Sequence, residues 1–162
     1  DHVMNVATNA YKIKKLFVEG GGHVNFTDEE LLFAAFHHDL GKLGDGAEPY
    51  YLPQTSEWHQ KNKLEYFTHN PKLQYFDVTD RAFWLLNQYG IKYTQKEQLG
   101  IHMADGLYNE ATKKYFISYN EDFQVKTDLP YIIHWADHMS TRLENSEYRK
   151  ATGMYDNISE NF

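Results

Sequence analysis

The residues best able to do chemistry in this chain are its nine histidines and the carboxylates near them, because it has no cysteine. Without thiolates there is no disulfide and no sulfur-ligated metal. A bound ion must therefore rest on imidazole nitrogen and carboxylate oxygen. The adjacent pair His38-Asp39 is the centre of interest. It follows Leu31-Leu32-Phe33-Ala34-Ala35-Phe36, a helical run that is apolar on all sides and is therefore expected to be central and buried. Leaving a neutral polar group unpaired in such a place costs roughly 2–7 kcal/mol, and a charge costs more. One cation compensates both groups. A capping or salt-bridged Asp39 beside a hydrogen-bonded core His38 accounts for the dipeptide as well, and the dipeptide does not decide between them.

The surroundings add weight to the metal reading. His2 comes early, with Val6 one turn on, and Asp39 leads into Leu40-Gly41-Lys42. Asp137 lies within Ile132-Ile133-His134-Trp135-Ala136-Asp137-His138-Met139-Ser140, a second apolar helix that carries a carboxylate. In order, His2, His38-Asp39 and Asp137 resemble the pattern of the HD-domain superfamily of metal-dependent phosphohydrolases, over the stretch from His2 to about Arg142. His69 and His102 fall between the pair and Asp137 at nearly even intervals, which resembles the two-metal branch. The resemblance implies an all-helical fold with His2, His38, Asp39 and Asp137 on one ion. It implies Asp39, His69 and His102 on a second, so that Asp39 bridges. Such donors suit Fe or Mn, with Co, Ni or Zn as further options, whereas Ca or Mg call for more oxygen. The bland alternatives are a turn residue before Asn70-Pro71 for His69 and a core histidine for His102.

The other histidines carry less. His37 stands where the family has an apolar residue; it has no assigned role, and a supporting or substrate-facing one is open. His134, one turn before Asp137, competes with His102 as a ligand. His138 points about 100° away from Asp137 and reads as structural, and His23 and His59 as surface or loop residues. Lys42 either neutralises a substrate phosphate or forms a surface ion pair, and Arg142 is a weaker candidate for the same contact. Tyr50, Tyr51 and Trp58 are candidates to close over a ring, with core or rim packing as the alternative.

The resemblance implies hydrolysis of a small phosphorylated metabolite, above all a nucleotide or a cyclic mono- or dinucleotide. A hydroxide between two ions would attack phosphorus while the ions and Lys42 take up charge. The same ligands resemble those of the mixed-valence di-iron oxygenases of the superfamily, which oxidise inositol or an organophosphonate. A non-catalytic domain stabilised by its metal is a third reading.

These residues need helices to position them. Helical spacing predicts a first helix from His2 to about Val18, ended by Gly20-Gly21-Gly22. Thr27 with Glu30 forms a capping box for the apolar helix, with Phe26 as a staple, and that helix ends near Gly41. Leu43 to about Ser56 reads as an irregular loop. Helices follow over Trp58 to Thr68, from Thr79 or Asp80 to Gly90, and from Thr94 (capped by Glu97) through His102 to Gly106. A short hairpin is expected between Tyr115–Tyr119 and Phe123–Val125, then a helix from about Leu129 to Lys150 and a loosely held tail beyond about Gly153. The expectation is one all-α domain over residues 1–162, a helical bundle of HD type with one short β-hairpin.

Composition excludes several classes. Hydrophobic residues make up 41% of 162 and aromatics 16%, enough for a core. No apolar run approaches a membrane span. A net charge of -7 without a basic cluster longer than Lys12-Ile13-Lys14-Lys15 disfavours broad nucleic-acid binding. No signal peptide is visible, and missing cysteine fits a reducing cytoplasm. The chain opens at Asp1 without Met, so residues upstream are expected. Oligomeric state is not legible.

Overall fold

The computed structural model describes residues 1–153; the expected loose tail lies outside them. The described residues form seven α-helices: α1 (His2–Glu19), α2 (Asp28–His37), α3 (Glu57–Lys63), α4 (Val78–Gln88), α5 (Gln95–His102), α6 (Glu110–Ile117) and α7 (Leu129–Ala151). Two strands, β1 (Tyr51–Pro53) and β2 (Phe67–His69), make one antiparallel ladder. The fold is all-α with a short hairpin. No described helix is long and apolar enough to cross a membrane. The chain sorts into two units, Asp1–Phe36 with the chain from Thr94 onward, and His37–Tyr93.

The first unit is built on α1, α2, α5, α6 and α7. Val6 and Ala10 of α1, Leu31, Ala34 and Ala35 of α2, Ile101 of α5, and Ile132, Ile133 and Ala136 of α7 form its buried core. Each fully buried Leu or Ile contributes roughly 1.5–3 kcal/mol relative to exposure. Gly100 permits the close packing of α2 on α5, since a Cβ there would lie 2.7 Å from the Ala34 methyl. The Thr27 capping box forms as expected: Glu30 N donates to Thr27 Oγ1 and Thr27 N to Glu30 Oε2. The α2 run is less enclosed than its composition suggests, because Phe36 is 39% exposed.

The second unit has few buried apolar side chains, chiefly Leu73, Ala82, Leu85 and Leu86. Polar bonds take over much of the ordering. Gly41 lies in a 3-10 turn (Leu40–Leu43) pressed against the start of α4; a Cβ on it would come 2.0 Å from Val78 O. Gly44 holds φ 100°, a conformation that favours glycine. Asn70, fully buried, donates to Pro49 O at 2.9 Å and Glu48 Oε2 at 3.1 Å, so one amide ties the loop after the His-Asp pair to β2.

Three expectations are corrected, the first being the irregular loop over Leu43 to Ser56, which carries β1. The hairpin is not at Tyr115–Val125 but pairs Tyr51 with His69, Leu52 with Thr68 and Pro53 with Phe67. The aromatic run Tyr115-Phe116-Ile117 has strand propensity, yet Asn109 caps a helix there, its side chain accepting from Ala111 N. The helix expected over Trp58 to Thr68 stops at Lys63, where Leu64 takes a left-handed conformation at φ 56°. Phe67–His69 then gains ladder bonds that a continued helix would forgo.

Candidate metal centre

In the second unit, His38 and Asp39 follow the last residue of α2. His38 is buried, and its Nε2 stands 3.6 Å from Asp39 Oδ2. Each residue offers one ligand atom within 4.8 Å of the other. Lys42 comes back from the 3-10 turn to place Nζ 2.7 Å from Asp39 Oδ2, while its backbone N–H donates to Asp39 O at 2.9 Å. The Lys42 head remains partly exposed. The turn made possible by Gly41 therefore sets the cation beside the carboxylate.

His69 ends β2 and is half-buried. Its Nε2 is a buried atom with no hydrogen-bond partner among the described residues. Tyr50 stands edge-on to the imidazole, with ring centroids 4.9 Å apart at 88°, and meets Tyr51 at 4.7 Å and 82°. Arg81, buried on α4, places its guanidinium 6.0 Å from the Tyr50 ring and 5.3 Å from Phe76. Burial, helped by neighbouring Tyr51, raises the Tyr50 phenol above its ordinary range despite the cations Arg81 and Lys42. Tyr51 and Trp58 are exposed.

In the first unit, His2 lies in the opening turn of α1 between two carboxylates of α7. Its Nε2 is 3.0 Å from Asp137 Oδ1 and its Nδ1 is 3.0 Å from Glu144 Oε2. Asn5 donates to Glu144 Oε1 at 2.8 Å, and Asn9, buried, donates to Ser140 Oγ at 2.8 Å. His2, Asn5 and Asn9 share one face of α1 (i, i+3, i+7). Asp137, Ser140 and Glu144 share one face of α7 at the same spacing. Burial works against the Glu144 carboxylate, yet hydrogen bonds from Asn5 and His2 and the nearby positive charge hold it below the usual range.

A neutral imidazole has one N–H. Placed on Nδ1 toward Glu144, it leaves Nε2 of His2 as an electron-pair donor beside Asp137, which is how histidines are oriented at metal sites. Glu144 was not singled out from the sequence, although its place seven residues after Asp137 puts it on the same face. Arg81 and Asn70 were also missed; nothing in their local sequence marks them as buried.

His102 ends α5, its ring edge-on to Tyr115 at 6.0 Å. His134 is buried with Nδ1 on Ala104 O at 2.8 Å, a core contact. His138 is exposed and stacks on Tyr108 at 5.7 Å, and His23 and Arg142 are exposed. His59 is half-buried, its Nδ1 against Ser56 Oγ at 2.9 Å. Within the second unit the structure brings together His38, Asp39 and Lys42, and within the first His2, Asp137 and Glu144, while His69 and His102 each stand against a tyrosine.

The donor chemistry fits a divalent transition ion. Both groups join imidazole to carboxylate, and His69 keeps a nitrogen without a hydrogen-bond partner among the described residues. No family model matches the chain, and no curated protein and no solved structure matches it.

Proposed function

We propose that this chain is a two-metal phosphohydrolase of HD type acting on a small phosphorylated metabolite, a nucleotide above all. The observation that carries the reading is the His69 imidazole. A buried polar atom left unsatisfied costs about 1–3 kcal/mol, and a ligated ion relieves that cost where no protein donor or acceptor does. In this reading His2, His38, Asp39 and Asp137 hold one ion and Asp39, His69 and His102 the other, Fe or Mn being the metals favoured. When bound, such ions acidify a water molecule and neutralise charge on phosphoryl oxygens.

The chain's own residues have distinct tasks. Glu144 orients His2 by accepting from Nδ1, and Asn5 steadies Glu144 in turn. Tyr50 limits the rotation of His69. Lys42 holds Asp39 in place and, being partly exposed, has a charge to offer an incoming phosphate. Arg142 and Tyr51 stay as exposed substrate-contact candidates.

The test is turnover after reconstitution with Mn under anaerobic conditions, against a panel of nucleotides and cyclic dinucleotides. Release of phosphate or opening of a phosphodiester is expected. Product formed only with iron, with oxygen consumed in step, would replace hydrolysis by oxygenation.

A further inference from the structure

The first unit carries an open cavity of about 480 Å3 beside α5, lined by none of His2, Asp137 and Glu144. Lys96 and Leu99 of α5, Tyr115 of α6, and Phe123 and Lys126 of the following segment line it. Its size lies within the roughly 300–1,000 Å3 of small-molecule sites. A second cavity of about 250 Å3 shares Leu99 and Tyr115 with it and extends to His102. A third shares Tyr115 and Phe123 and adds Lys114.

The walls are held by specific bonds. Tyr131 Oη donates to Tyr115 O at 3.1 Å, and Asn25 Nδ2 donates to Lys126 O at 2.8 Å. Asn120 Oδ1 accepts from Asp122 N at 3.0 Å, fixing the 3-10 turn (Glu121–Phe123) that presents Phe123. That phenyl ring is 71% exposed at the cavity wall, a cost to the free protein that a flat apolar occupant removes. The charge is equally specific. In a chain of net charge -7, these neighbouring cavities gather Lys96, Lys114 and Lys126 against Asp122. Lys96 is engaged by Glu30 at 3.6 Å and donates to Asn25 O, whereas Lys126 is in no ion pair among the described residues.

We propose that this cavity binds a nucleoside phosphate, its base resting on Tyr115 and Phe123 and its phosphate met by Lys126 and Lys96. Aromatic faces bind any base by stacking, and ammonium groups supply the counter-charge. The inference rests on the reading above only in taking this occupant, whose cavity shares Leu99 and Tyr115 with the one that reaches His102, as the substrate.

The experiment is isothermal calorimetry on the full metal-free chain with adenosine monophosphate, adenosine and inorganic phosphate. The monophosphate binds more tightly than either fragment. Phe123→Ala weakens it and adenosine alike, by roughly 5- to 150-fold. Lys126→Glu weakens the monophosphate and leaves adenosine unchanged. Both side chains are exposed, so neither variant threatens the fold. Binding that ignores both substitutions, or no heat from any of the four common nucleoside monophosphates at millimolar concentration, overturns the site. Because no metal is present, this outcome is separate from the hydrolase reading, which fails instead if nucleotides bind and no ion does.

Discussion

Glu144 Oε2 lies 3.0 Å from Nδ1 of His2, and the opposite ring nitrogen faces Asp137 Oδ1 at the same distance. One imidazole thus joins an orienting carboxylate to a donor carboxylate. A proton or a cation must lie between Nε2 and Asp137 for the arrangement to be favourable, and the proposed ion takes that role.

The first prediction concerns Glu144. Glu144→Gln leaves an oxygen for Asn5 but no longer favours an N–H on Nδ1 of His2. Loss of an orienting partner typically lowers metal affinity about 10- to 100-fold. Chelator competition is expected to show that fall for one ion, with the helix content unchanged by circular dichroism.

Lys42 separates catalysis from ligation. Lys42→Ala is expected to retain metal and to lower kcat/KM roughly ten- to a thousand-fold, in line with losing one charged contact to the transition state. Steady-state kinetics with elemental analysis on the same sample is the check. Unchanged kinetics would confine Lys42 to structural contacts such as the one at 2.7 Å to Asp39.

Gly41 is a backbone prediction. A Cβ placed 2.0 Å from Val78 O forces the 3-10 turn away from α4. Gly41→Ala is expected to destabilise the protein by about 1–3 kcal/mol, as overpacking does. For a chain of this size that lowers Tm by roughly 2–4 °C per kcal/mol, and the same displacement of Asp39 weakens metal binding.

Asp28 gives the pH dependence. Hydrogen bonds from Lys14 and then Tyr11 hold its carboxyl below the ordinary range. A carboxylate depressed in the folded state stabilises the protein above its unfolded pKa, and that stability is lost as pH falls through the folded value. Asp28→Asn therefore lowers the urea midpoint at pH 7, and the difference from the native protein closes below about pH 4. A difference that persists in strong acid would mean that the contribution of Asp28 does not come from its charge.

Much of the architecture was legible because local signals agreed. The Thr27-Glu30 and Thr94-Glu97 boxes both form, and α1 and α7 run close to their expected spans. The misplaced hairpin shows where local signals stop. Phe67-Thr68-His69 becomes a strand only because Tyr51–Pro53 pairs with it across an intervening helix, a non-local choice that propensity does not encode. The same holds for the site. His38-Asp39 stood out by residue type and position, and His2 and Asp137, named together through the family resemblance, lie in contact, whereas Glu144, Asn70 and Arg81 acquire their roles only from what the fold places beside them.

The most direct test of the account is metal content per chain, by elemental analysis of native protein and of the Asp39→Ala variant after loading with Mn and desalting. The account predicts two ions in the native protein and loss at both positions in Asp39→Ala, because one carboxylate serves both; His69→Ala is expected to lose one ion only. Two ions retained in Asp39→Ala would contradict the shared ligand. No ion retained by the native protein would contradict the metal centre itself.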